Sequence, residues 1–336
     1  MTDATDRTSV PHHVAEAVLR EHGADIRAAE RGRGWTNATW LGEDLVVRVA
    51  REPGPAGLLR EERLVRLLPP EVGCPPVVRS GVRAGHEWVL TRRVPGRSLE
   101  EVWPSLDAPA RARAIEQMWE RARHVHRVDV TAAAPHVRPR SPFFAGSPAR
   151  ATAALDRLVT AGALTRAHAR GLERVLDRFW TALPKAPKVL DHGDLCPPNT
   201  LWHEGRVVAL LDFEFAVVAP LAIDLNELIK LAFAPGDPED PADRDGRATG
   251  DGRDSREDRD ALLQDTVRRI AVPSLDEAGG PDVLLGHAVM LETWVLENDL
   301  ASTDPDENDR ATATALLTAF AEGDGGLYAP LLTGIT

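Results

Sequence analysis

Two carboxylates and one amide, Asp194, Asn199 and Asp212, are the side chains of this sequence whose types and spacing best suit chemistry. Asp194 and Asn199 lie five positions apart in a predicted loop, and Asp212 follows two short apolar runs. If these runs form a hairpin, Asn199 and Asp212 lie side by side at its open end, at the roughly 4.5–5.5 Å of cross-strand neighbours. Oxygen ligands at that spacing suit one Mg²⁺ ion. Phosphoryl transfer needs such a set. One residue must accept the proton of the attacking hydroxyl, and others must bind the metal ion on the nucleotide phosphates.

The residues between Asn199 and Asp212 predict the hairpin. A strand-like run, Thr200–His203, precedes a polar turn at Glu204-Gly205, and a second apolar run, Arg206–Leu211, leads into Asp212. The alternative is an ordinary hairpin with polar ends, whose side chains have no common task. The complete spacing favours the chemical interpretation.

The pattern H-G-D-x-x-x-x-N followed by D-F resembles the catalytic loop and metal-binding turn of the aminoglycoside phosphotransferase family. This family is a branch of the protein-kinase-like fold that includes the choline kinases. The resemblance implies that Asp194 is the catalytic aspartate, and that Asn199 and Asp212 hold Mg²⁺ on the phosphates of ATP or GTP. It also implies that His192 holds the loop together and that Asp224 supports the loop from behind. A helix N-cap is the competing interpretation of Asp224.

A segment near the N-terminus resembles the nucleotide-covering loop of the same family. Residues 33–40 lead into the Val-rich run 45–50, which predicts a strand, a turn and a second strand. Gly34 would let the backbone approach the phosphates, and Asn37 would donate hydrogen bonds to them. A glycine at an ordinary hairpin turn is the alternative.

Arg48 occupies the strand position where a protein kinase carries the lysine that binds the α- and β-phosphates. All three lysines of the chain lie at residue 185 or later, outside this segment. Glu61 is the best-placed helix partner of Arg48, and Glu62 is the second candidate. An arginine can hold phosphate oxygens through its planar fork. The alternative is a nucleotide site that has decayed.

The order of the predicted elements indicates an α+β, two-lobed protein-kinase-like fold. Strands and one helix, at 58–68, precede residue 95, and mainly helical segments follow it. In the family, the run 91–96 is the linker whose backbone reads the adenine edge, which makes Arg92 and Val94 predicted nucleotide contacts. We expect a small lobe with an antiparallel sheet at 1–94, which binds the nucleotide, and a larger helical lobe at 95–336, which carries the catalytic and acceptor sites.

Two histidines, His124 and His126, lie at the end of a predicted helix at 108–128. Residues two positions apart do not share a helix face, so we expect no metal pair there. The sequence predicts structural roles for both.

Composition narrows the class of protein. The chain has 336 residues, 43% of them apolar and 27% charged, as in ordinary globular proteins. Its first ten residues are polar, and no apolar run is long enough to span a bilayer, so we expect no membrane association and a cytoplasmic location. Two cysteines are too few for a disulfide framework.

The formal net charge of -12 argues against a nucleic-acid partner and is compatible with a cationic acceptor. Much of the charge is local, because residues 235–260 contain ten acidic residues and five arginines. Their composition predicts a flexible insertion. Five further acidic residues are candidates for binding a cation, with a solvated helix face as the alternative: Glu214, Glu227, Glu292, Glu297 and Asp299.

Three functions are compatible with these features. The first is a Mg²⁺-dependent phosphotransferase that moves the γ-phosphoryl group of ATP or GTP to a hydroxyl of a small molecule, for example an aminoglycoside-like or other antibiotic. The second is a Ser/Thr kinase that acts on a peptide in natural-product biosynthesis. The third is a catalytically silent nucleotide-binding scaffold. The complete set of Asp194, Asn199 and Asp212 argues against the third, and the sequence does not separate the first two.

Overall fold

The computed structural model describes residues 9–32, 36–233, 256–302 and 307–332. Gly34 and residues 235–255 of the predicted insertion lie outside the described residues. Residues 256–260 begin the helix Arg256–Ser274, so the prediction of a flexible segment is wrong there. This helix is anchored by buried Leu263 and Val267, which follow the charged stretch directly, and its first turns extend back into that stretch.

A five-stranded antiparallel sheet forms the N-terminal lobe. Its strands are β1 (Glu30–Gly32), β2 (Asn37–Leu41), β3 (Leu45–Ala50), β4 (Val77–Arg83) and β5 (His86–Arg92), in the order β1-β2-β3-β5-β4. Val47 and Val49 of β3 pack against Val14 and Val18 of helix α1 (Val10–Glu21). Helix α2 (Leu58–Val65) packs against β5 and carries buried Glu61 toward β3.

Helices dominate the C-terminal lobe. They are α3 (Leu99–Val102), α4 (Ala108–His126), α5 (Val130–Ala133), α6 (Pro148–Thr160), α7 (Arg166–Ala182), α8 (Ala222–Phe233), α9 (Arg256–Ser274), α10 (Pro281–Ala301), α11 (Glu307–Glu322) and α12 (Ala329–Leu332). Several begin where the sequence provides a cap: the side chains of Asp107, Ser147 and Thr165 accept backbone N–H groups at the starts of α4, α6 and α7. None of the described helices is long and apolar enough to cross a membrane.

Five short strands of this lobe position the predicted catalytic loop. They are β6 (Arg97–Ser98), β7 (Val189–Asp191), β8 (Thr200–His203), β9 (Arg206–Leu210) and β10 (Val217–Ala219). β6 pairs with β8, and β10 pairs with β7. Residues 93–96 connect β5 to β6, and the predicted lobe boundary at 94/95 lies in this connection.

The predicted hairpin is confirmed. β8 and β9 pair antiparallel, with Thr200 opposite Leu210, and the Leu211 N–H donates to the Asn199 carbonyl at 2.8 Å. Asn199 and Asp212 therefore lie at the open end of the hairpin. The α+β, two-lobed kinase-like fold is also confirmed, with an antiparallel sheet in the first lobe and mainly helices in the second.

Candidate active site

Two backbone N–H groups fix the loop between β7 and β8 to helix α8. The N–H groups of His192 and Gly193 donate to the two carboxylate oxygens of Asp224, each at 2.9 Å. Gly193 has φ +82°, and a Cβ on it would lie 2.2 Å from the carbonyl oxygen of Phe215. A side chain at this position would therefore push the turn that contains Phe215 away from the loop of Asp194.

Asp224 is fully buried and supports the loop from behind, as predicted. His126 Nε2 donates to Asp224 Oδ2 at 2.9 Å, so His126 has the structural role expected for it. Burial alone would raise the pKa of Asp224, but the hydrogen bond and charge of His126 lower it below its ordinary value. Asp224 is the third residue of α8, so its interpretation as the helix N-cap is wrong.

Asp191 also belongs to this buried cluster, and the sequence did not predict its role. It is fully buried at the end of β7, with His126 and Asp224 as neighbours. Burial and the negative charge of Asp224 raise the pKa of Asp191 well above its ordinary value. These opposite shifts favour a proton on Asp191 over one on Asp224. No periodic or spacing signal marks it, because it precedes the recognisable motif.

Asn199 orients the carboxylate of Asp194. Its Nδ2 donates to Asp194 Oδ2 at 2.8 Å and to the Asp194 carbonyl at 3.0 Å. The thiol of Cys196 donates weakly to Asp194 Oδ1 at 3.6 Å. Burial raises the pKa of Asp194, and the charge of His192 with the hydrogen bond from Asn199 opposes that change. A carboxylate in this environment is held in one orientation and is a stronger proton acceptor than an exposed one.

Asp212 has a backbone conformation that non-glycine residues rarely adopt. Its φ and ψ are +62° and +73°, directly after the strand β9. The left-handed turn leaves the side chain 38% exposed, with Oδ1 3.2 Å from Arg48 Nη2. Such local strain is common at functional sites.

The Asn199 and Asp212 side chains fit a magnesium ion by their donor chemistry. The amide nitrogen of Asn199 is turned toward Asp194, which leaves its oxygen as the available ligand. Asp212 offers a carboxylate at the same end of the hairpin. Two hard oxygen ligands, completed by water and phosphate oxygens, are typical of Mg²⁺ sites.

Arg48 connects the two lobes. Its Nη1 donates to Glu61 Oε1 at 2.7 Å, and its Nη2 reaches Asp212 of the other lobe. Burial alone would lower the pKa of Arg48, but the charges of Glu61 and Asp212 raise it above its ordinary value. The structure also decides between the two predicted partners, because Glu62 pairs instead with Arg66.

The other predicted nucleotide contacts differ in whether their polar groups already have hydrogen-bond partners within the protein. Asn37 is buried at the start of β2 and donates to Thr36 Oγ1 at 3.2 Å. The Arg92 N–H donates to the Pro76 carbonyl, so it is not free to read a base, whereas Val94 lies in the connection between the lobes without such a bond to another described residue. Gly34 is outside the described residues.

Glu214 joins the nucleotide-covering segment to the C-terminal lobe. Its Oε2 accepts the Thr36 hydroxyl at 2.6 Å, and its Oε1 accepts Arg138 Nη2 at 3.0 Å. Arg60 Nη2 and Arg138 Nε also donate to the Glu214 carbonyl. Sequence reasoning missed Arg60 and Arg138, because Arg138 lies in a Pro-rich stretch whose neighbours only the tertiary structure reveals.

Four of the five acidic residues proposed for a cation already have basic partners. Glu214, Glu292, Glu297 and Asp299 each pair with a basic side chain, namely Arg138, Lys230, Arg157 and Arg310. Two of the four are buried, with Glu292 2% and Asp299 8% exposed, so the solvated-face interpretation is wrong for them. Burial raises the pKa of Glu227 to about 7, with Lys230 opposing that shift. The carboxylates here are therefore largely neutralised.

The comparisons with known proteins agree with this geometry. The family model described as "Phosphotransferase enzyme family" matches residues 27–262, which include both lobes' site residues. The chain belongs to this family. A sequence comparison with curated proteins found no significant match.

Solved structures of aminoglycoside phosphotransferases share the fold of this phosphotransferase-family chain. A thermostable mutant of aminoglycoside phosphotransferase APH(4)-Ia, in ternary complex with ADP and hygromycin B, is 15% identical with a TM-score of 0.60, over 91% of this chain and 97% of that one. The GDP complex of aminoglycoside 2'-phosphotransferase-IIIa is 18% identical with a TM-score of 0.63, over 93% and 98%. The GDP and kanamycin complex of APH(2")-IIIa is 18% identical with a TM-score of 0.61, over 93% and 99%.

Removing Arg48 from this family member tests its structural role separately from its predicted role in nucleotide binding. Arg48→Met leaves Glu61 buried without its partner, so we expect a loss of about 3 kcal/mol in the free energy of unfolding. The double variant Arg48→Met/Glu61→Met should recover most of that loss, because it also removes the buried charge. It should still bind nucleotide poorly, since the guanidinium is missing. Urea unfolding and calorimetric titration with MgATP and MgGTP measure the two effects.

The pair Arg83–Glu21 provides the matched control. It also joins an arginine on a strand to a glutamate on a helix of the N-terminal lobe, but its side chains are 37% and 46% exposed, so Arg83→Met should cost less than about 1 kcal/mol. Normal nucleotide affinity in the double variant would show that Arg48 is not a phosphate ligand.

Proposed function

We propose that this chain is a Mg²⁺-dependent phosphotransferase that moves the γ-phosphoryl group of ATP or GTP to a hydroxyl of a small molecule. The observation that carries the proposal is the position of Asp194. Asn199 orients the Asp194 carboxylate, and Asp224 fixes the loop that carries it. Asp212 lies next to this loop, at the open end of the hairpin. Membership of the phosphotransferase family supports it. The nucleotides ADP and GDP in the related structures support a nucleotide donor.

Each residue of the site has a task in this reaction. Asp194 accepts the proton of the acceptor hydroxyl as the oxygen forms its bond to the γ-phosphorus and the bond to the β–γ bridging oxygen breaks. Asn199 and Asp212 would hold Mg²⁺, which when bound would neutralise charge on the phosphate oxygens. Arg48, held by Glu61, clamps the phosphates. Catalysis then depends on positioning and electrostatic stabilisation rather than on a covalent enzyme intermediate.

The acceptor in this proposal is a small molecule. The related structures contain hygromycin B and kanamycin, both small hydroxylated molecules, which favours this class over a peptide. A cytoplasmic location stays a prediction from the sequence.

Transfer of labelled phosphate from ATP and GTP tests the proposal directly. The acceptor panel should contain aminoglycosides, other hydroxylated antibiotics, choline-like amines and Ser/Thr peptides. We expect transfer to at least one small-molecule hydroxyl, and complete loss of transfer when EDTA removes Mg²⁺, with recovery when excess Mg²⁺ is restored. Transfer only to peptides would support the peptide kinase. Binding of MgATP or MgGTP without transfer to any acceptor would support the silent nucleotide-binding scaffold instead.

A further inference from the structure

A cavity of about 360 Å³ lies between α6, α10 and the segment 142–145. Its largest lining side chains are the aromatic ones of Phe143, Phe144 and Trp294, and smaller apolar residues with Leu176 and Met290 line the rest. Trp294 is 36% exposed, an unusual position for the largest aromatic side chain, so part of the indole is accessible to a ligand. The volume is in the range of pockets that bind small molecules, about 300–1,000 Å³.

A row of aromatic rings connects this cavity to the catalytic loop. The rings of Trp294 and Phe143 are 4.7 Å apart, and those of Phe143 and Phe215 are 4.9 Å apart. Phe215 belongs to the turn that follows Asp212, and its carbonyl lies so close to Gly193 that no Cβ would fit between them. The rings of Trp294, Phe143 and Phe215 therefore form a continuous row of contacts, which we call the aromatic wall, from the cavity to the loop of Asp194.

The segment that carries Phe143 is fixed in this position. The Arg138 N–H donates to the Ala216 carbonyl at 3.0 Å, and Arg138 forms a bridge with Val217 of β10. The Arg138 guanidinium also lies 4.9 Å from the centre of the Phe215 ring. Because the segment is bonded to the strand that follows the metal-binding turn, the cavity and the catalytic loop are parts of one structure.

The charge of the cavity does not suit a molecule with several positive charges. Its one lining carboxylate, Glu297, is 2.6 Å from Arg157, and the lining also includes Arg150. Of the other acidic residues considered for cation binding, Glu214, Glu292 and Asp299 have basic partners of their own. The lining therefore has a formal charge of about +1, which repels a polycation rather than attracting it.

We propose that this cavity is the acceptor subsite, and that it selects an uncharged, hydroxylated molecule whose flat ring packs against Trp294 and Phe143. This inference rests on the proposed phosphotransferase function. Aromatic side chains bury the flat faces of rings favourably, and their contacts have preferred geometry. The ring would hold the molecule in the cavity, so that a hydroxyl beyond it extends along the aromatic wall toward Asp194.

Three probes test the proposal by calorimetric binding to the full-length protein: phenyl β-D-glucoside, methyl β-D-glucoside and kanamycin. We expect phenyl β-D-glucoside to bind at least about tenfold more tightly than methyl β-D-glucoside, because only the first has an aromatic ring to pack. Kanamycin should bind more weakly than phenyl β-D-glucoside. Trp294→Ala should weaken phenyl β-D-glucoside about tenfold, whereas Trp294→Phe should stay within about threefold of wild type.

A charge reversal provides an independent arm. Arg150→Glu should strengthen kanamycin binding several-fold and leave phenyl β-D-glucoside unchanged, since only kanamycin carries positive charge. The affinity for MgATP should be the same in every variant, because these substitutions change only the cavity. MgATP binding therefore tests the proposed function separately from this inference. If wild type binds no MgATP, the proposed function fails while the glucoside measurements remain valid.

Several results would overturn the assignment. These are undetectable binding of phenyl β-D-glucoside, tighter binding of kanamycin than of phenyl β-D-glucoside, and phenyl β-D-glucoside affinity that does not change in Trp294→Ala. Tighter, Trp294-dependent binding of a Phe-rich peptide would assign the cavity to a peptide instead.

Discussion

Asp194→Asn is expected to lower kcat for phosphoryl transfer at least about 100-fold, because the asparagine amide cannot accept the proton of the acceptor hydroxyl. The substitution keeps the size of the side chain, and its amide oxygen can still accept the hydrogen bond that Asn199 donates to Asp194 Oδ2. The loop should therefore keep its conformation. We expect the affinity for MgATP or MgGTP to change by less than about threefold, since Asp194 is not proposed to hold the metal.

The measurement is steady-state transfer of labelled phosphate to the best acceptor of the panel, with nucleotide affinity measured by calorimetry on the same preparations. Cys196→Ala is the matched control, because the Cys196 thiol contacts the other oxygen of Asp194 at 3.6 Å. Burial and the charge of Asp194 raise the pKa of that thiol, so it stays protonated and is a poor nucleophile. Cys196→Ala should retain turnover within about threefold.

Turnover near the wild-type value in Asp194→Asn would remove Asp194 from the chemical step. A large loss in Cys196→Ala together with normal turnover in Asp194→Asn would point to the thiol instead. Because the two side chains are in contact, the comparison tests their chemistry rather than their place in the fold.

The parts of the site that the sequence predicted are those encoded within short segments. The loop of Asp194, the hairpin and the turn at Asp212 follow one another along the chain, so their spacing predicts that these residues lie together. Arg48 and Glu61 were predicted to pair because they lie on a strand and a helix of a recognisable lobe. The first prediction depended on local pattern and the second on the resemblance to kinases, and in each the structure brings the named residues together.

The parts that could not be predicted depend on tertiary contacts between distant irregular segments. Arg138 and Thr36 meet at Glu214 although they are far apart in sequence and neither lies in a periodic element. Asp191 precedes the motif and is distinguished only by its burial. Charge alone does not show which face of α10 is covered, so the sequence leaves its acidic residues open between cation binding and a solvated face. In the structure, Lys230 of α8 pairs with Glu292 there.

The same contacts change the expected nature of the acceptor. The net negative charge of the chain is compatible with a cationic acceptor. However, acidic side chains considered for that purpose, such as Glu214 and Glu297, are paired with arginine, and burial raises the pKa of Glu227. Net charge therefore describes the surface as a whole, whereas specificity depends on the charges left unpaired in the cavity.

Asp224→Ala is expected to lower the free energy of unfolding by at least about 3 kcal/mol, because it leaves three buried N–H donors without an acceptor. These donors are the backbone of His192, the backbone of Gly193 and the His126 ring. Phosphoryl transfer should also fall sharply, since the catalytic loop loses its attachment to α8. Urea unfolding at neutral pH, read by circular dichroism, measures the change in stability.

Asp282→Ala is the matched control for this loss. Asp282 is also an aspartate in the first turn of a helix, but it is 44% exposed and pairs with Arg178 at the surface at 3.0 Å. Its removal should cost less than about 1 kcal/mol. If Asp224→Ala does not fold, Asp224→Asn answers the same question, because one amide oxygen can accept from Gly193 while the amide N–H groups face the other two donors.

The pH dependence gives a further check on Asp224. Its pKa is lowered in the folded protein, so its ionised form stabilises the fold at every pH above the unfolded-state pKa of about 4. That contribution is lost as the pH falls from there through the folded-state pKa. The stability difference between wild type and Asp224→Ala should therefore be constant near neutral pH and narrow in acid. A difference below about 1 kcal/mol at neutral pH would show that the hydrogen bonds of Asp224 do not hold the catalytic loop in place.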